Sequence, residues 1–313
     1  MKTMLYLLRR EFWEHKGMFL WTPLAAAFAM ILVFALPVIF GKTLLQERHF
    51  ARIAAMRDHT ALVGDALARV YMTFTGPILA VMALIIFFYC LGCLYDDRRD
   101  RSILFWKSLP VSDFETVLSK LLTASVVVPV IFLIIGTVMS FIMMTIVSIG
   151  LATQDVYLFK DLLLNERLYL SPLQVFAMLP VYVFWALPSL GWLMLVSSWA
   201  RSKVFLWAIG LPLISLLLLT MVQKIQLQNL DVSWFADLIV GRGLAGIIPG
   251  SWIHFEHISY ETAFRPGANG VDYGAVLAIS WDTLTSPQIW WGVLAAAVMF
   301  YMTIRLRRWR EAE

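Results

Sequence analysis

Four short patterns carry residues with chemical potential, and each must be weighed by its surroundings. Cys90-Leu91-Gly92-Cys93 has the spacing of a redox dithiol, because thiols three residues apart can pair. The pair sits in an apolar stretch, where thiolates are disfavoured, and lacks a thioredoxin-like context, so small packing residues are the better reading. His254-Phe255-Glu256-His257, with Glu261 nearby, offers possible metal ligands. Its spacing is not that of a metalloprotease helix, and a zinc site needs three or four ligands in suitable geometry. A solvated polar loop is the simpler assignment, and no metal site is expected. Gly41-Lys42-Thr43 imitates the end of a phosphate-binding loop, but position 36 is Leu36 where the first glycine belongs. Asp96-Asp97 is a carboxylate pair among arginines, read as a solvated anchor at a membrane boundary. His15, His49 and His59 belong to no constellation, and no Ser/His/Asp pattern is discernible.

The elements that would position these residues are unusually apolar. Of 313 residues, 60% are hydrophobic, too many for a soluble globule. Six stretches lack any charged residue: Met18 to Phe40, Thr73 to Leu94, Leu121 to Gly150, Gln174 to Trp199, Val204 to Val222 and Gln288 to Ile304. A bilayer core needs about 20 apolar residues per helix, and in lipid each backbone must satisfy its own hydrogen bonds. The expected fold is an all-α integral membrane protein with six transmembrane helices. Spans without ionisable groups also argue against ion-coupled transport.

Charge sets the expected orientation. With the N-terminus inside, the inner segments hold 15 of the 25 basic residues, among them Arg98, Lys120, Arg201, Lys203 and Arg307. This follows the positive-inside rule, so both termini are expected in the cytoplasm. No cleavable signal peptide is evident at the start. Trp13, Trp21, Trp199, Trp290 and Trp291 fall near span ends, where an aromatic belt would lie.

The connecting segments add detail. Residues 2 to 16 read as a short helix with Met4, Leu5, Leu8 and Phe12 on one side, either lying in the interface or simply flanking the first span. The loop 41–72 is expected to contain a helix, and in the loop 151–172 the run Leu162 to Leu164 is expected on the membrane surface. Ser171-Pro172 and Ser286-Pro287 look like matching helix starts, a serine cap before a first-turn proline. Pro180, Pro188 and Pro212 predict bends. The segment 223–287 is expected to hold broken helical hairpins dipping towards the membrane, followed by a small cap. In the third span Thr137, Ser140, Met144 and Ser148 share a face; they would line a substrate path or, as the Gly136/Ser140 pair suggests, serve close helix packing.

The loop LYDDRRDRSILFWKSLPVSDFETVLSK is the most informative. Ser112-Asp113-Phe114-Glu115 forms a capping box, so a helix should begin at Asp113 and run into the third span. Before it, Ser102, Ile103, Leu104, Phe105, Trp106, Lys107, Ser108 and Leu109 make an apolar patch between charges. Such a patch is either a docking surface or a lipid-interface segment.

This loop, the opening RREFWEHKG and the six-span layout resemble permease subunits of type-2 ABC exporters. The layout covers the whole chain, while the recognisable sequence is confined to the two basic segments. The resemblance implies a single permease domain over 1–313, with an interfacial elbow helix (1–17), a coupling loop (95–120), outer segments (41–72, 151–172, 223–287) and an inner tail (305–313). Ser102 to Leu109 with Asp113, Phe114 and Glu115 would then contact the ATPase. Leu5, Leu8, Arg9, Arg10, Phe12 and Trp13 would belong to the elbow. It further implies two ATPase subunits carrying ATP and magnesium, a second permease, either identical or a related chain, and no enzyme activity, cofactor or nucleic-acid partner of this chain itself. The location would be a bacterial inner membrane. The alternatives are an ion-coupled secondary transporter, a metal-dependent membrane enzyme using His254 and His257, and a membrane scaffold; within the ABC reading, a mechanical transmitter rather than a conduit also stays open.

Overall fold

A computed structural model describes residues 2–40, 60–100, 111–153, 155–225, 232–255 and 271–309. Among these residues the chain is entirely helical, with no strand. Helix α1 (Lys2–Glu14) leads through a π-helical turn (Gly17–Trp21) into α2 (Thr22–Phe40). Then follow α3 (Thr60–Val70), α4 (Gly76–Gly92) and α5 (Tyr95–Arg99). Helix α6 (Asp113–Leu122) joins α7 (Val128–Ala152) through a second π-helical turn, Thr123–Val127. Helices α8 (Phe159–Leu163), α9 (Arg167–Ala177), α10 (Leu179–Trp199) and α11 (Val204–Lys224) continue the chain. After a third π-helical stretch (Phe235–Gly241) come α12 (Arg242–Ala245), α13 (Ser251–Phe255), α14 (Tyr273–Asp282) and α15 (Pro287–Trp309).

Among the described residues, six stretches of helix are long and apolar enough to cross a bilayer: Gly17–Val38, Leu62–Arg99, Asp113–Ala152, Arg167–Trp199, Val204–Lys224 and Pro287–Trp309. They are not equivalent. The second to fourth carry most of the core, whereas only 17% of each apolar window in the first, fifth and sixth is buried. Phe28, Val33, Leu206, Ile214, Trp291 and Leu294 therefore stand exposed. In water, helices that are apolar all round and uncovered would be untenable. In lipid they need no cover, and the protein is a multi-pass membrane protein.

Lipid tails are as apolar as leucine, so association of these helices depends on fit and on polar contacts. One close crossing shows both. Thr75 Oγ1 and Ser140 Oγ are 2.8 Å apart in the interior, and a Cβ on Gly136 would lie 2.5 Å from Thr75 Cγ2. Among the expected path residues, Ser140 and Ser148 are buried, and Ser148 Oγ donates to the Met144 carbonyl. Met144 is buried with Tyr71 and Leu162 in a smaller core, while Thr137 is half-buried. Gly136 and Ser140 thus sit at a helix crossing. That cluster lies at the end of the bundle where Tyr71 donates to the Leu168 carbonyl at 2.6 Å and Asp65 pairs with Arg69 and Arg167.

Two expected features differ. Ser171 does not start a helix: α9 begins four residues earlier, Ser171 is buried inside it, and Pro172 is accommodated within the helix. The break falls instead at Met178, which puts Pro180 in the first turn of α10, where a missing N–H costs nothing. Leu162 turns inward, leaving Leu163 and Leu164 exposed. The other proline start holds, since Ser286 is extended just before α15, and α3 supplies the helix expected before the second span.

The Gly136 crossing is testable. Gly136→Ala should cost about 1–3 kcal/mol by overpacking, and adding Thr75→Ser, which removes Cγ2 but keeps the hydroxyl, should restore most of it. Thermal unfolding in detergent would read both.

Candidate functional site

At the basic end of the bundle, five charged side chains from distant parts of the chain converge. Lys120, near the end of α6, is almost wholly buried. Its Nζ lies 3.1 Å from Glu11 Oε1 of α1 and 3.5 Å from Asp97 Oδ2 of α5. Tyr89 donates to Glu11 Oε2 at 2.9 Å. Arg307, near the end of α15, completes the group: Nη1 lies 3.3 Å from Asp97 Oδ2, and Nε donates to Asp113 Oδ1 at 3.2 Å.

Local structure explains the convergence. Glu11 follows buried Leu7 by one turn, so both face the bundle. Asp113 and Lys120 are seven residues apart, two turns on one face of α6. The capping box fixes the start of that helix: the Glu115 N–H donates to Ser112 Oγ, and the Ser112 N–H donates to Glu115 Oε2, each at 3.1 Å. One π-helical turn lies two residues beyond α1 and the other directly after α6. Each extra residue rotates the following helix by about 100°, so a charged face can meet the cluster while the span beyond presents an apolar one.

Asp97 and Asp113 lie on either side of residues 101–110 in sequence, so one guanidinium holds the described chain before and after them. A second tie secures the chain before them. Arg98 Nη2 donates to the carbonyls of Ser197 and Ala200 at the end of α10, at 2.6 and 2.9 Å. Ser197 Oγ accepts from the Leu94 and Tyr95 N–H groups and donates to the Leu91 carbonyl.

Aromatic rings pack beside the cluster, next to Tyr89. His15 stacks on Phe19, and both meet Tyr89 edge-on at 5.1 Å between centroids. Burial pushes the Glu11 carboxyl up, but the Lys120 charge and the hydrogen bonds from Lys120 and Tyr89 outweigh it. The net effect holds Glu11 below the usual carboxylate range.

The expected site residues are distributed unevenly around this cluster. Asp113 is a member, and Glu115 supports it through the cap. Phe114 is exposed with its edge on Phe300. In α1, Leu8 and Phe12 are half-buried, Leu5, Arg9 and Trp13 are exposed, and Arg10 pairs with Glu14 at 3.3 Å. The inward face is therefore Met4, Leu7, Leu8, Glu11 and Phe12, which keeps three of the expected residues and turns Leu5 out. Ser102 to Leu109 lie outside the described residues, as do Glu256, His257 and Glu261. Asp96 is half-exposed as an anchor should be, but Asp97 is not a solvated anchor: two cations have drawn it inside. Glu11, Tyr89, Lys120 and Arg307 carry the site and were not singled out as members by sequence. The clue was Lys120, a lone lysine two turns after Asp113 at the mouth of an apolar span. Cys90 and Cys93 are buried and unpaired as thiols, and fill space beside Tyr89 in the main core.

Removing one partner of a buried ion pair leaves the other charge uncompensated, at about 3–5 kcal/mol. Lys120→Met should therefore destabilise the protein by that order, with partial recovery when Glu11→Leu is added. The pH dependence follows from the depressed carboxyl. Its contribution is complete above the unfolded value near 4.5 and is lost as pH falls through the lower folded value. Melting temperature in detergent should stay flat from pH 7 to about 5 and fall below about 4.5. Glu11→Gln should be less stable at pH 7 and show a shallower acid limb.

Compared with protein-family models, curated proteins and solved structures, the chain matches none.

Proposed function

We propose that this chain is the transmembrane subunit of an ATP-driven exporter of the type-2 ABC class, working in a bacterial cytoplasmic membrane with its basic end in the cytoplasm. The observation that carries the reading is the double grip of Arg307 on Asp97 and Asp113. A partner that pushes on the segment 101–110 would move the chain on either side of it together. The displacement would reach α1 through Glu11, α6 through Lys120 and α15 through Arg307. ATP and magnesium would be held by a separate ATPase, present in two copies beneath a pair of permeases. The resemblance of the two basic segments to such permeases supplies the class; the ion-pair joint supplies a mechanism for coupling.

A second reading draws on the same cluster. Buried carboxylates beside a lysine are what a proton-coupled secondary transporter would use. The cluster sits at one end of the bundle, and the spans between it and the opposite end carry no comparable relay in their sequence, which favours the mechanical role.

The test is purification of the tagged chain from its native membrane in mild detergent, with ATPase activity measured in the eluate. Wild type should carry an ABC ATPase. Glu115→Lys should lose it or uncouple it, whereas Glu115→Gln, which preserves the capping box, should retain it. Absence of ATPase from wild type across several detergents would overturn the ABC reading. A pH-gradient response in proteoliposomes without ATP would favour the secondary transporter.

A further inference from the structure

At the opposite end of the bundle, the stretch Phe235–Phe255 folds back against α10. Tyr182 donates to the Ile247 carbonyl at 3.1 Å, Trp185 Nε1 to Ser251 Oγ at 2.9 Å, and Ser189 Oγ to the Arg242 carbonyl at 2.7 Å. These donors follow α10 at three- and four-residue steps, so one face of the span holds the whole broken hairpin. Arg242 is 3% exposed. Its guanidinium donates to the Gln288 carbonyl at 2.7 Å and lies over the Trp185 ring at 4.2 Å. Gly292 permits this approach, because a side chain there would collide with the guanidinium and with Pro188.

Beside Arg242 lies a cleft of about 540 Å³ between α10, α11, α15 and the Phe235–Gly241 turn. Its size is within the range of about 300–1,000 Å³ typical of ligand sites. Pro188 and Pro212, each inside a helix, line two of its walls, where missing backbone hydrogen bonds favour bends. Trp192, Leu211, Trp234 and Trp291 give it an apolar, aromatic lining, and Arg242 is its cation. Leu211 and Trp291 are exposed on the fifth and sixth spans, so the cleft opens sideways into the bilayer. Its natural occupant is drawn from the membrane.

We propose that this cleft is a lipid site, holding one acyl chain of an anionic phospholipid with its phosphate against Arg242. The chain meets the tryptophan and leucine walls, and the phosphate is drawn by the charge of the guanidinium, whose Nη1 and Nη2 also donate to the Gln288 and Ile289 carbonyls. Indole rings suit the boundary between chain and headgroup. The site goes beyond the exporter reading and stands without it, since it requires no ATPase.

The test uses the full chain in phosphatidylcholine nanodiscs containing brominated-chain phosphatidylglycerol or, separately, brominated-chain phosphatidylcholine, with tryptophan quenching as the readout. Wild type should reach half-maximal quenching at an about fivefold lower mole fraction of phosphatidylglycerol, the effect expected of one well-placed cation. Ala295→Phe, which fills the cleft and leaves the arginine in place, should abolish the preference. Arg242→Gln, if folded by its melting curve, should quench equally with both lipids; if it does not fold, Ala295→Phe decides. Equal quenching of wild type by both lipids would leave only annular lipid and overturn the proposal. So would a preference that survives Ala295→Phe. Loss of the preference on adding inorganic phosphate would show that the anion alone is bound and would overturn the lipid assignment.

Discussion

The ammonium group of Lys120 is the constraint around which the basic end is arranged. A lysine at the mouth of an apolar span cannot stay charged inside the protein without carboxylates in contact. Meeting that requirement brings Glu11 from the first helix and Asp97 from the end of the second span to the same point. Asp97 in turn attracts Arg307 from the last helix, and Arg307 reaches Asp113. Parts of the chain separated by up to 296 residues (11 to 307) are thereby tied within one polar centre. Glu11, Asp97, Lys120 and Arg307 are all buried there, so their mutual contacts must offset the cost of desolvating them.

The two ends of the molecule solve different problems. The basic end is held by charge, with His15, Phe19 and Tyr89 packed ring against ring beside the ion pairs. The opposite end is held by neutral hydrogen bonds from Tyr182, Trp185 and Ser189 to a broken hairpin. Between them the second, third and fourth spans pack closely, while the first, fifth and sixth leave wide faces to the lipid.

The six spans were legible because length and the absence of charge are decisive in a bilayer, and neither depends on tertiary contacts. The capping box was legible for a similar reason, since Ser112 and Glu115 satisfy each other locally. Asp97 was misread because its neighbours in sequence are arginines, whereas its partners, Lys120 and Arg307, arrive from elsewhere in the fold. Leu5 was misplaced on α1 for a related reason: hydrophobicity favoured it, but a buried salt bridge turned Glu11 inward. Ser171-Pro172 had the composition of a helix start, yet proline in the second turn of a helix already begun at Arg167 was tolerated. In each of these three cases a nonlocal partner or preceding structure outweighed a local pattern.

Helix α15 carries arginine contacts near both extremities: Arg242 grips its first turn at Gln288, and Arg307 projects from its last. At a rise of 1.5 Å per residue, the nineteen steps between them span about 29 Å. α15 is continuous over that length and lies along α10. It therefore has the makings of a strut, stiff in compression and tension, that would deliver an axial shift from one membrane face to the other undiminished. In a molecule whose two faces are otherwise chemically unlike, that strut gives them a common clock.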